Sequence, residues 1–104
     1  MARDPLVLAQ VKAILEQISM IAPGKSVELR VPPFAAIQCV NGPKHTRGTP
    51  PNVVEMNADT LFDLIDGSLT WEQGVHDGAI QASGERADLS SVFHAAAGTI
   101  RMTE

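Results

Sequence analysis

The chain has no tyrosine, three phenylalanines and one tryptophan, so ring stacking cannot be the main filler of its core. Leu, Ile, Val, Ala and Met must do most of that work. A single cysteine, Cys39, excludes an internal disulfide framework and suits a reducing compartment. Basic residues are outnumbered: eight Lys and Arg stand against twelve Asp and Glu, for a net charge of -4. A continuous basic face for phosphate backbones is therefore not expected, nor a nucleic-acid partner. No apolar run approaches the ~20 residues that span a bilayer, so no transmembrane segment is expected. The opening residues lack the form of a secretory signal. Together these absences lead us to expect a cytoplasmic protein.

What remains is ordinary globular material. At 104 residues, 44% of them hydrophobic, the chain is long enough for one core and is read as a single domain over 1–104. Asp4-Pro5 has the form of a helix start, with Asp as the cap and Pro where its missing N–H costs nothing. Val7, Val11, Ile14, Ile18 and Ile21 then recur at helical spacing until Pro23-Gly24. Residues 26–31 alternate, with Val27, Leu29 and Val31 opposite Glu28 and Arg30, which predicts a half-buried strand. Pro32-Pro33 interrupts it, and residues 34–40 predict a second strand.

The third strand is expected at 53–56. Asn57 then caps a helix that stops at Gly67, and Thr70-Trp71-Glu72-Gln73 has the form of a capping box for a short helix ending at Gly78. A further strand is expected at 79–84. Asp88 is placed to cap a last helix, stopped by Gly98. Short strand-to-strand connections predict an α+β fold, with a mainly antiparallel sheet covered by helices on one face.

Catalytic chemistry is hard to assemble from these residues. Nucleophilic catalysis needs a nucleophile, a base and a group that orients the base. The candidates are Cys39, inside an apolar strand where a thiol is usually inert, and His45, in a loop. His45, His76 and His94 lack metal-ligand spacing, and no phosphate-binding glycine pattern is present. Asp59, Asp63 and Asp66 lie at helical spacings that suit a solvated face. No catalytic residue, metal site or cofactor is expected. The unusual segment is 41–52, NGPKHTRGTPPN, where Lys44, His45 and Arg47 cluster among glycines and prolines with no acid. It reads either as a solvated connection or as a site for an anionic head group.

From Val53 onward the order of elements resembles the sterol carrier protein (type two) family. The stretch VVEMNADTLFDLIDGSLTWEQGVHDGAIQASGERADLSSVFHA contains a short strand and then a helix of the form D-x-L-x-x-L-x-x-G at Asp59 to Gly67. A second short helix, a strand ending in Gly84 and an apolar helix follow. The segment VPPFAAIQCVNGPKHTRGTPPNVVE is similar to a short bacterial, actinobacterial-type branch of that family. The resemblance implies an antiparallel sheet of about five strands and an internal apolar cavity for a fatty-acyl chain or other lipid. It implies no enzymatic activity. Leu61, Phe62, Leu64, Ile65, Leu69, Trp71, Val75, Ile80, Val92 and Phe93 would supply the apolar wall, with Lys44, His45 and Arg47 at the head group. A second reading stays open: an accessory or protein-interaction domain supporting a thiol-dependent isomerase or transferase. A protein partner or a homodimer is compatible with either.

Overall fold

A computed structural model describes residues 4–43 and 51–102, with the side chains of 101 and 102 left aside. Lys44, His45 and Arg47 lie outside the described residues. Helix α1 (Pro5–Ile21) starts as its residues dictate: the Asp4 side chain accepts from the N–H groups of Leu6 at 2.9 Å and Val7 at 3.5 Å. Its buried stripe is Val11, Ile14, Leu15 and Ile18.

Strands β1 (Val27–Val31) and β2 (Ala35–Cys39) form a hairpin joined through Pro32, Pro33 and Phe34, in which the Pro32–Pro33 peptide bond is cis. Strand β3 (Asn52–Glu55) follows the 41–51 connection, and α2 (Ala58–Asp66) follows β3. Asn57 caps α2 by accepting from Thr60 N–H at 2.8 Å, and Gly67 closes it in the left-handed conformation. The capping box of Thr70 and Gln73 opens α3 (Trp71–His76). Strand β4 (Gln81–Ser83) and α4 (Ser90–Met102) follow.

Two expectations are corrected. Among the described residues the sheet has four strands in the order β2-β1-β3-β4, and it is mixed rather than antiparallel. Strand β2 ends beside the start of β1, because Cys39 faces Val27. The next strand begins at that same end, on the other edge of β1, with Asn52 opposite Val27. It can then only run the same way as β1. The β1–β3 pair is therefore parallel, while β1–β2 and β3–β4 are antiparallel.

The second correction is that Gly98 does not stop the last helix, which runs on to Met102. One interior glycine costs a helix only about 1 kcal/mol. Continuing through it packs Ile100 against the core. Asp88 does sit at the start, accepting from Ser90 N–H at 3.0 Å. That bond, with a second from the Ser90 hydroxyl, holds the exposed Asp88 carboxyl below its usual range.

Burial alternates along the sheet. Val27, Leu29, Val31 and Val54 are buried against the helices. Glu28, Arg30 and Glu55 lie on the opposite, partly exposed face, where Arg30 pairs with Glu28 and approaches Glu55 at 3.9 Å. Helix α1 packs on β2, and α4 touches both α1 and α2. Among the described residues no helix is long and apolar enough to cross a membrane.

Candidate functional site

The helices do not meet evenly, and the gap they leave is the candidate site. At the end of α2 the left-handed Gly67 turns the chain, and Ser68 N–H donates to Asp66 at 2.8 Å. Leu69 N–H returns to the Asp63 carbonyl at 3.2 Å. Thr70 immediately starts α3: Gln73 N–H donates to its hydroxyl at 3.1 Å, and Thr70 N–H donates to the Gln73 side chain at 3.2 Å. These local bonds set Leu69 and Trp71 at the corner between the two helices. Across from them Phe93 projects from α4, and its ring stacks on Trp71 with centroids 5.8 Å apart and planes inclined by 27°.

The space beside this ring pair is a cleft of ≈ 490 Å³. Leu64, Leu69, Trp71, Phe93 and Ala97 give it apolar walls. Thr70, Glu72, Ser90, Ser91 and His94 add polar groups, and of these only Ser90 is not fully on the exposed side. An apolar wall with a few polar groups at its edge suits a ligand with an alkyl or ring body and a small polar end.

The structure divides the ten residues expected to form an apolar wall. Leu64, Leu69, Trp71 and Phe93 come together at the cleft. Leu61 and Ile65 are sealed in the core, while Phe62 and Val92 are half-buried against it. Val75 and Ile80 border another hollow, shared with Arg30 and Glu55 on the far side of the sheet. The described flanks of the basic loop, Pro43 and Pro51, border a third hollow with Ser26, Asn52 and Arg86, not the cleft. The polar members of the cleft were missed from sequence. Ser90, His94 and Ala97 share a face of α4 with Phe93 at helical spacing, so one signal was present.

Cys39 is sealed, with 0% of its surface exposed, opposite Val27. Burial pushes its thiol pKa up to about 11, from about 9 for an open chain. A thiol in that setting is a poor nucleophile at neutral pH, and native protein should label with maleimide far more slowly than unfolded protein. The shift also sets a pH dependence. Between pH about 9 and about 11 the unfolded chain has released this proton and the folded chain still holds it. Stability therefore falls as pH rises through that window, with a limiting slope of about 1.4 kcal/mol per unit from this group. Denaturant titrations should show this fall in the parent and a shallower one in Cys39→Ala. Equal slopes would mean that the thiol is not desolvated. Among the described residues, no three His, Cys, Asp or Glu side chains are grouped to hold a metal.

The model of a family described as bacterial SCP ortholog, SCP standing for sterol carrier protein, matches residues 3–94. A solved structure titled UbiJ-SCP2 ubiquinone synthesis protein aligns with a TM-score of 0.53 and 18% identity, over 98% of this chain and 97% of that one. At that identity the likeness is one of fold. No curated protein matches.

Proposed function

The chain belongs to the bacterial sterol carrier protein-like family, and from that premise we propose that it is a non-enzymatic binder of a fatty-acyl chain or comparable lipid. The observation that carries this reading is the cleft: a stacked Trp71–Phe93 pair beside Leu64, Leu69 and Ala97, with hydroxyls and His94 at the edge. The tail lies along the aromatic pair and the polar end reaches the α4 side. The buried, proton-holding Cys39 supports the non-enzymatic half of the reading, and the lone thiol is in keeping with a cytoplasmic setting. A second reading, that of a protein-interaction domain, is favoured by the partly exposed sheet face, where Glu28, Arg30 and Glu55 present charge.

Titrating n-alkanoic acids from octanoic to hexadecanoic while following Trp71 fluorescence tests the first reading. Each methylene removed from water contributes about 0.8 kcal/mol, so affinity should rise about fourfold per carbon until the cleft is filled. Phe93→Ala should weaken every member of the series. Silent fluorescence together with silent calorimetry across the series would overturn the reading.

A further inference from the structure

The outer face of α1 carries two large apolar side chains that stand open among the described residues: Leu6 is 76% exposed and Met20 is 68% exposed. At about 100° per residue, Leu6, Ala9, Ala13 and Met20 fall on one stripe, opposite the buried Val11, Ile14, Leu15 and Ile18. Ala9 and Ala13 are exposed as well. One flank of the stripe carries Lys12 and Glu16, the other Gln10 and Gln17. Leu6 and Met20 stand about two turns either side of Ala13. The stripe is thus its own complement when reversed.

We propose that α1 is a self-association surface, on which a second copy of this chain docks antiparallel with the two-fold axis passing Ala13. The operation places Leu6 against the partner's Met20, and Met20 against the partner's Leu6. The small Ala13 at the axis lets the two helices approach to about the closest usual interaxial distance, 8 Å. The same operation sets Lys12 beside the partner's Glu16 and Gln10 beside the partner's Gln17, each twice by symmetry. Among the described residues neither Lys12 nor Glu16 makes an ion pair within its own chain, so both charges are open to a partner. A seam one helix long is at the low end of interface sizes, below about 1,200 Å², the range of weak, transient encounters.

Sedimentation equilibrium of the full chain from about 1 to about 500 µM tests this directly. The mass should rise from monomer to dimer across that range. Ala13→Glu puts two carboxylates together on the axis and should leave a monomer throughout. Its circular dichroism should match the parent's, because the position faces solvent. Leu6→Lys, also exposed, is the second disrupting variant and should weaken the dimer at least tenfold. Lys12→Glu should weaken it about tenfold, equivalent to about 1.4 kcal/mol. The double swap Lys12→Glu with Glu16→Lys should restore affinity to within about threefold of the parent, since each pair is re-formed with its signs exchanged. A monomer at the highest concentration overturns the proposal. So does a dimer indifferent to Ala13→Glu and Leu6→Lys, or one that the double swap fails to restore.

Discussion

Asn52→Asp is expected to lower the unfolding free energy by about 3–5 kcal/mol, although it exchanges one amide nitrogen for oxygen. Asn52 is only 5% exposed, and its side chain uses both ends. Its Nδ2 donates to the Ser26 carbonyl at 2.8 Å, and its Oδ1 accepts from Arg86 N–H at 2.9 Å. One amide therefore ties the residue preceding β1 to the turn that follows β4, from the first position of β3. Aspartate keeps the acceptor but turns an oxygen toward the Ser26 carbonyl, setting two acceptors face to face around a buried charge. Asn52→Ala removes the repulsion but leaves a donor and an acceptor unpaired, and should cost about 2 kcal/mol. Urea denaturation followed by Trp71 fluorescence gives the ranking parent, alanine, aspartate. An aspartate variant within about 1 kcal/mol of the parent would mean that water already satisfies these groups and the clamp is inconsequential.

Gly24→Ala should be comparably damaging, at about 4 kcal/mol, for a reason of backbone rather than side chain. Gly24 has φ of 146°, and a Cβ built there would lie well inside van der Waals contact of both the carbonyl oxygen and the carbonyl carbon of Val40. That carbonyl cannot retreat. It accepts from Ser26 N–H at 3.0 Å and from the Ser26 hydroxyl at 2.7 Å, while Val40 N–H donates to the Ala22 carbonyl at 2.7 Å. Val40 itself is held at φ of 66°, a conformation that a β-branched residue adopts only when its surroundings impose it. The clasp joins the end of α1 to the exit of β2, so opening it separates the helix from the sheet edge it covers. Gly98→Ala is the opposite case: nothing lies within 4 Å of a Cβ there, in the interior of α4. That change should stabilise by about 0.5–1 kcal/mol. If the two substitutions proved equally mild in thermal unfolding, the close approach at Gly24 would be discredited.

Much of the fold was legible in local chemistry. Helix starts at Asp4, Asn57 and Thr70 were readable because a cap is made by residues two or three positions apart in sequence. The buried face of β1 was readable because side chains alternate with a period of two. The strand partners were not. Alternation marks one face as buried but is silent on which edge the next strand joins, since the ladder is made by backbone groups common to every residue. The direction of β3 thus depended on where the 41–51 connection delivered the chain.

The candidate site divides along the same line. The sequence by itself determined which residues are apolar, on which helix face they lie, and that Leu69 and Trp71 flank a capped corner. Whether an apolar face is sealed or left with room beside it depends on the surfaces brought against it, and those come from distant parts of the chain. Leu61 and Leu64 lie on one stripe of α2, yet only Leu64 reaches the cleft, because α4 crosses there with Phe93 and Ala97. The same holds for Asn52, unremarkable as a letter, whose two partners lie 26 and 34 residues away. Periodicity is a property of neighbours in sequence, whereas a cleft or a buried clamp is a property of neighbours in space, and only packing decides which those are.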